Sequence, residues 1–201
     1  MERLGIIGGT FDPIHLAHLY IAEQAKKTLE LDKIIFIPAG SQPLKINKKV
    51  TEASLRFSMV KKAIEGRKCF EVSDYEIKKE GMSYTFETLE HFSKVGREIY
   101  FITGADCLMN LGKWKGVERI FQLCKLVVFT RPGYNYESLL KHKDYIEKKY
   151  MGKIIILNLT ELDISSTEIR EAISLGEDIN KLLPKKVIEI IKEKNLYGGI
   201  K

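Results

Sequence analysis

Several features are missing from this sequence of 201 residues. Cysteine occurs only three times, at Cys69, Cys107 and Cys124, with no Cys-x-x-Cys pair, so neither a disulfide framework nor a thiolate zinc site is indicated. No apolar run approaches the roughly 20 residues that a membrane span needs. No signal peptide is recognised either, because Glu2 and Arg3 precede an apolar run of only strand length. We therefore expect a cytoplasmic protein with no membrane partner.

The net charge and the placement of aromatic residues limit the classes of molecule that this protein is expected to bind. The net charge is +6 and the isoelectric point is about 9.0, which fits a nucleic acid, an anionic lipid or a polyphosphate ligand. The lysines occur as scattered doublets, such as Lys26-Lys27 and Lys148-Lys149. They lack the interleaved aromatic residues of a surface that binds single strands. We therefore expect solvated lysine faces and no nucleic-acid partner.

The most informative stretch lies near the start of the chain. An apolar run at residues 4–7 is typical of a buried strand, Gly8 and Gly9 follow it, and apolar residues at helical spacing come next. Glycines let the backbone turn sharply, and a helix N-terminus directs N–H groups and a positive dipole end at the same spot. His15 and His18 are three residues apart, on one face of the first helical turn. This stretch predicts phosphate binding and phosphoryl chemistry.

A second polar run, residues 164–170, begins another predicted helix. Ser165 and Glu168 have the spacing of a capping box, which alone would explain the hydroxyl groups. Arg170 is different, because a cation near a helix N-terminus opposes the dipole by about 0.3–1 kcal/mol. A bound anion would explain it, with Ser165, Ser166 and Thr167 as further donors. The run therefore predicts an anion site in addition to the cap.

Strands alternate with helices over most of the chain. Apolar runs predict strands at residues 4–7, 33–38, 69–72, 98–103, 125–130 and 153–159. Helical patterns follow the first strand and occur at residues 51–66, 84–95, 117–123 and 136–148, and residues 74–82 are predicted to be a turn. This order is typical of an α/β fold with a doubly wound, mainly parallel, Rossmann-like sheet.

The end of the chain changes character. Two helices, at residues 166–175 and 184–196, follow the last strand. We therefore expect a core of residues 1–160 and a small C-terminal helical part, residues 161–201, of the same domain. The lysine-containing loop at residues 39–50 follows a strand's carboxyl end, where open α/β sheets bind ligands, so Lys45 is a candidate phosphate ligand.

Both polar runs resemble the motifs of one superfamily. Residues 8–19 resemble the signature Gly-x-Phe-x-Pro-x-His-x-Gly-His of the nucleotidyltransferases related to class I aminoacyl-tRNA synthetases, with Ala17 where glycine is usual. Residues 164–170 resemble that superfamily's Ile-Ser-Ser-Thr-x-Ile-Arg motif. Nearly the whole chain resembles the bacterial nicotinate-nucleotide adenylyltransferases, through residues 42–45, 83–85, 104–106, 114, 131–134, 183–184 and 196–197.

The resemblance implies adenylyl transfer from ATP to nicotinate mononucleotide, giving nicotinate adenine dinucleotide and pyrophosphate in NAD biosynthesis. It implies catalytic roles for His15, His18 and Arg170. The implied ATP-binding residues are Gly8, Gly9, Thr10, Phe11, His15, His18, Lys45, Gly104, Asp106, Ile164, Ser165, Ser166, Thr167 and Arg170. The implied mononucleotide-binding residues are Thr10, Lys45, Tyr84, Thr85, Trp114 and Arg131. Mg²⁺ is expected with ATP, held by phosphate and water rather than by assigned protein ligands.

Other functions stay open at this point. Pantetheine-phosphate adenylyltransferases share both motifs but typically have threonine where His15 stands, and they have a shorter chain. A preference for nicotinamide mononucleotide is harder to exclude, because a carboxylate and an amide differ by a few backbone donors. A non-catalytic nucleotide-sensing or RNA-binding module is the alternative of another class. The sequence does not fix the oligomeric state, and a homo-oligomer is one of the options.

Overall fold

A computed structural model describes residues 1–40, 50–130, 135–159 and 164–198. The strands are β1 (Glu2–Gly9), β2 (Lys33–Pro38), β3 (Phe70–Val72), β4 (Arg97–Gly104), β5 (Cys124–Thr130) and β6 (Ile154–Asn158). The helices are α1 (Leu16–Thr28), α2 (Ala53–Ala63), α3 (Tyr75–Lys78), α4 (Thr85–Phe92), α5 (Ala105–Met109), α6 (Val117–Leu123), α7 (Tyr136–Tyr150), α8 (Ser166–Leu175) and α9 (Lys185–Glu193). Short 3₁₀ turns lie at Leu111–Lys113 and Leu196–Gly198.

Within these described residues the strands form one six-stranded sheet with the order β3-β2-β1-β4-β5-β6. Every neighbouring pair is parallel, which confirms the predicted doubly wound α/β fold. The order reverses between β1 and β4, where Ile7 pairs with Ile102. A sheet of this type binds its ligand outside the carboxyl ends of the strands at that reversal. The glycines that end β1 and β4 both lie there.

Both faces of the sheet are covered, which explains why the strands are continuous apolar runs rather than alternating ones. On one face, Ile7, Phe36 and Ile102 belong to a core that includes buried residues of α1, α2, α8 and α9. On the other face, Ile6 and Phe101 belong to a core shared with α4, α5, α6 and α7. The C-terminal helices thus share a core with α1 and α2, and the division at residue 160 stays a prediction.

Some local predictions were wrong. The segment predicted as a turn at residues 74–82 contains α3, which Lys78 supports by an ion pair to Asp74 one helical turn earlier (2.8 Å). Helix α4 ends at Phe92, earlier than the predicted residue 95, and its N-cap residue is Tyr84, whose N–H donates to the Glu87 carboxylate at 3.3 Å. Helix α9 ends at Glu193, earlier than predicted, and a separate turn follows it.

The helices of the described ranges were also considered as membrane spans. None of them combines the length and the apolar character that crossing a bilayer requires.

Candidate active site

The turn after β1 is tightly built. We call residues 8–15 the first loop. Phe11 has a left-handed backbone (φ 51°) and is buried. Its ring lies 3.0 Å from the position that a Cβ atom on Gly9 would occupy, so a side chain there would press on the aromatic ring. The Gly9 carbonyl accepts the Ala39 N–H (2.8 Å), which joins the loop to the end of β2. This geometry explains the glycine that the sequence places at position 9.

The two histidines meet at the start of α1. His15 is the N-cap residue and only 2% exposed. Its ring and that of His18 are 3.7 Å apart between centroids and inclined by 30°, and Phe11 packs edge-on against His18 at 5.0 Å. The His15 N–H donates to His18 Nδ1 (3.3 Å). A neutral His18 with Nδ1 as acceptor carries its proton on Nε2, which is then a donor.

The second polar run lies against the first loop, as the sequence predicts for two halves of one site. Arg170 donates from Nη1 to the Asp12 carbonyl (2.7 Å) and from Nη2 to the Thr167 hydroxyl (3.3 Å). The Ser166 hydroxyl donates to the Pro13 carbonyl (2.9 Å). The two bonds to the Asp12 and Pro13 carbonyls join residues more than 150 positions apart in the chain. Arg170 thus fixes the first loop by a hydrogen bond, and its guanidinium group lies next to that loop.

The capping box predicted at Ser165 is present. The Ser165 hydroxyl accepts the Glu168 N–H (3.2 Å) and donates to the Glu168 carboxylate (2.7 Å), which also accepts the Ser165 N–H (3.0 Å). These bonds account for Ser165 without a ligand. Ile164 is buried in the same core as Ile169, so it anchors residues 164–170 to that core.

Arg56 is a site residue that the sequence analysis did not identify. It is 4% exposed and donates to three main-chain carbonyls, those of Thr51 (2.8 Å), Thr10 (2.7 Å) and Ala39 (2.9 Å). Burial lowers the pKa of its guanidinium, and the negative charge of Asp12 opposes that effect. One buried cation therefore connects the first loop, the end of β2 and the segment before α2. Its sequence signal is an arginine in the buried stripe of α2.

Asp12 and Tyr197 were also missed. The Asp12 carboxylate is buried and accepts the Tyr197 hydroxyl at 2.6 Å and the Thr51 N–H at 3.2 Å. Burial, followed by the hydrogen bond to Asp12, raises the pKa of the Tyr197 hydroxyl far above its usual value. No local pattern could indicate a contact between two residues separated by 185 positions.

The residues expected on the mononucleotide side also come together. Trp114 is half-buried and packs edge-on against Phe101 of β4, with ring centroids 6.2 Å apart. The next residue, Lys115, places its ammonium 4.3 Å from the centre of the Tyr84 ring. Thr85 follows as the first residue of α4. The turn that bears the tryptophan is thereby joined to the start of α4.

The other predicted residues are distributed as follows. Gly104 is the N-cap residue of α5, and Asp106 is exposed in the first turn of that short helix. The Thr10 carbonyl is held by Arg56. Lys45 and Arg131 lie outside the described residues. Among those that are described, no group of three or more histidine, cysteine, aspartate or glutamate side chains is placed to hold a metal ion.

The chain is similar to known proteins over almost its whole length. The family model for cytidylyltransferase-like proteins matches residues 6–172. A relative from Clostridium botulinum (strain Eklund 17B / Type B), named "Probable nicotinate-nucleotide adenylyltransferase", is 55% identical over 98% of each chain. One of the same name from Clostridium beijerinckii is 54% identical over 98% of this chain and all of its own.

Solved structures are similar in fold. The nicotinic acid mononucleotide adenylyltransferase of Plasmodium falciparum complexed with NaAD superimposes with a TM-score of 0.80, at 23% identity over 98% of each chain. The same enzyme complexed with APC gives a TM-score of 0.77 at 22% identity over 98% of each chain. At this level of identity the likeness shows the fold, which agrees with the sheet order described above.

Proposed function

The chain belongs to the cytidylyltransferase-like family and, within it, to the nicotinate-nucleotide adenylyltransferases, and from this premise we propose how its residues carry out the reaction. The reaction is transfer of the adenylyl group of ATP to nicotinate mononucleotide. A phosphate oxygen of the mononucleotide attacks the α-phosphorus of ATP in line. A P–O bond forms, the bond to the β-phosphate bridging oxygen breaks, and nicotinate adenine dinucleotide and pyrophosphate result.

The attacking phosphate is already a nucleophile, so the protein's task is positioning and stabilisation of charge. His18 donates from Nε2 to a phosphate oxygen, since its Nδ1 is engaged with the His15 N–H. His15, stacked on His18 at 3.7 Å, fixes that ring and adds a second imidazole at the α-phosphoryl group. Donors that point at developing charge in a site with little water lower the barrier most.

The second polar run binds the departing phosphates. Toward the described residues, Arg170 uses two of its five N–H donors, on the Asp12 carbonyl and the Thr167 hydroxyl. The remaining donors and the N-terminal N–H groups of α8 suit the β- and γ-phosphates. Gly8, Gly9 and the lysine at position 45 belong to the same phosphate site in this proposal, and Gly104 and Asp106 lie on the adenosine side.

The mononucleotide binds on the other side of the β1/β4 reversal. Its pyridine ring is a flat cation, which stacks well on an indole, and Trp114 is half-buried with its edge fixed by Phe101. The carboxylate lies at the start of α4, near Tyr84 and Thr85, where backbone N–H groups and the Lys115 charge favour an anion. Arg131 is a further candidate for this side.

Mg²⁺ enters with ATP in this proposal. Phosphate oxygens and water would hold it, which is common for magnesium, and when bound it would supply positive charge that favours pyrophosphate as a leaving group. The described part of the chain offers no three-residue acidic or imidazole cluster for it.

The observation that carries the assignment is that two motifs from opposite ends of the chain meet through the bond from Arg170 to the Asp12 carbonyl. The direct test is pyrophosphate release by the purified protein with Mg·ATP and, in parallel, nicotinate mononucleotide, nicotinamide mononucleotide or phosphopantetheine. We expect a strong preference for nicotinate mononucleotide. Release with either of the others instead would reassign the acceptor, and ATP binding without any release would favour a sensing or RNA-binding module.

His18→Ala tests the assigned chemistry. Loss of a donor to developing charge is expected to lower kcat about 100-fold or more, while the KM for the mononucleotide stays within about twofold, because the ring acts on ATP. His91→Ala is the matched control, since His91 is exposed at the far end of α4, stacked on Tyr75. Equal losses in kcat and in mononucleotide binding would contradict the role given to His18.

A further inference from the structure

Asp12 carries a carboxylate that the proposed mechanism does not use. It lies in the first loop and is only 5% exposed. One carboxylate oxygen accepts the Tyr197 hydroxyl (2.6 Å) and the other accepts the Thr51 N–H (3.2 Å). A buried carboxylate is tolerated where both oxygens are hydrogen-bonded and a positive charge lies near. Arg56 supplies that charge. Both oxygens of the Asp12 carboxylate therefore accept hydrogen bonds from the protein. This matters because an unenclosed carboxylate in the first loop would repel a phosphate.

Tyr197 reaches this carboxylate from the end of the chain. It lies in the 3₁₀ turn Leu196–Gly198 with a left-handed backbone (φ 59°, ψ 26°), and it packs against the core that includes buried residues of α1, α2, α8 and α9. A non-glycine residue stays in that region only where the surrounding structure requires it. Phe11, which directly precedes Asp12, is left-handed as well (φ 51°). Both sides of this hydrogen bond thus have a backbone that the surrounding structure must hold in place.

The hydrogen bond between Tyr197 and Asp12 lies close to the proposed catalytic residues, so a small displacement of Asp12 would also move them. The main-chain carbonyl of the same Asp12 accepts Arg170 Nη1 at 2.7 Å, and His15 lies three residues further along the loop. We propose that Tyr197 is a positioning residue for adenylyl transfer, because its hydrogen bond to Asp12 holds the first loop in the arrangement that brings both histidines to ATP. This inference rests on the proposed function.

Tyr197→Phe removes the hydroxyl group and keeps the ring. A hydrogen bond to a charged group corresponds to about tenfold or more in an equilibrium or a rate. We expect kcat to fall about tenfold, the affinity for a non-hydrolysable ATP analogue, measured by titration calorimetry, to fall several-fold, and the KM for nicotinate mononucleotide to stay within about twofold. A merely structural role would not separate the two substrates in this way.

Tyr100→Phe is the matched control. The Tyr100 hydroxyl is also hydrogen-bonded, accepting from Arg3 (2.9 Å) and donating to Glu98 (2.6 Å), but near the amino ends of the strands. Its removal is expected to lower the melting temperature and to leave kcat unchanged. If both variants lost kcat in proportion to their loss of stability, the positioning role would be overturned.

Asp12→Asn provides a second route to the same contact. Asparagine keeps an oxygen that can accept the Tyr197 hydroxyl but removes the charge. If the two side chains act as a unit, the double variant should lose little more than the more impaired single variant. Additive losses, or a Tyr197→Phe variant within twofold of the parent in both kcat and analogue affinity, would overturn the inference. A parent protein without pyrophosphate release would instead refute the proposed function, and the analogue titration would still report on the loop.

Discussion

Replacing Arg56 is expected to have a larger effect on stability than replacing any surface arginine. Its guanidinium donates to the carbonyls of Thr10, Ala39 and Thr51 in a position that is 4% exposed. Arg56→Met keeps much of the side-chain volume but leaves these three oxygens without their donor. It also leaves the buried Asp12 carboxylate without its nearby cation. Buried acceptors without a donor, together with a buried charge that has lost its compensating cation, cost about 3–5 kcal/mol.

That free energy converts into a large change in melting temperature. For a chain of this size, 1 kcal/mol corresponds to about 2–4 °C, so Arg56→Met should lower the melting temperature by about 6–20 °C. Arg56→Lys keeps the charge but cannot reach three carbonyls at once, and should fall between the parent and the methionine variant. Differential scanning calorimetry at neutral pH measures all three.

Arg119→Met is the control for this experiment. Arg119 lies on the surface of α6, about half-exposed, and pairs with Glu90 (2.6 Å). Exposed pairs contribute about 0–1 kcal/mol, so this change should shift the melting temperature by only a few degrees at most. Equal shifts for Arg56→Met and Arg119→Met would refute the reasoning, because burial and the three carbonyls would then have no measurable weight. Arg56→Met should also raise the KM for ATP, since Thr10, whose carbonyl Arg56 binds, belongs to the first loop.

Two further changes test contacts of helix α4, which lies on the proposed mononucleotide side. The hydrogen bond from Lys79 holds the pKa of the Glu87 carboxyl below its usual value, so the stability that the pair provides is present above that value and is lost as pH falls through the lower folded-state pKa. Thermal melts of Glu87→Gln should therefore show a deficit at neutral pH that disappears once the pH falls below the lowered pKa of Glu87. Gly116→Ala places a Cβ 2.9 Å from the Phe86 ring at a left-handed residue, so we expect a loss of about 1–2 kcal/mol and a raised KM for the mononucleotide alone. Gly112→Ala, with open space at its Cβ, should change neither quantity.

Much of the fold could be predicted because buried parallel strands leave a local signal. The run at Lys33–Pro38 is apolar on both faces, and the structure has β2 over those same residues. Helix α8 likewise begins at Ser166 and ends at Leu175 as predicted, since a capping serine precedes it and Gly176, in the left-handed conformation, follows it. In these elements the sequence at each position is sufficient to specify the local conformation.

The predictions that failed concern residues whose conformation depends on particular side-chain contacts. Tyr84 is a poor capping residue by type, and at the start of α4 its N–H donates to the Glu87 carboxylate. Helix α3 is a single turn, and its Glu76 is bonded to Thr88 of α4 (2.7 Å). Burial raises the pKa of that carboxyl, and burial is set by the tertiary packing. The bond from Arg56 to Thr10 and the bond from Tyr197 to Asp12 span 46 and 185 positions, so no local pattern indicates them.

The donors that hold the first loop also determine which way its peptide groups face. Arg56, Arg170 and Ser166 bind the carbonyls of residues 10, 12 and 13. In a planar trans peptide the N–H of the next residue points opposite to the carbonyl, so the bonds at residues 10 and 13 turn the N–H groups of residues 11 and 14 away from those donors. A loop held by its carbonyls therefore presents N–H groups on its other side, which is the arrangement that binds anions. The one carboxylate of the loop must then be enclosed by other donors, and this is the role that its bonds to Tyr197 and Thr51 fulfil.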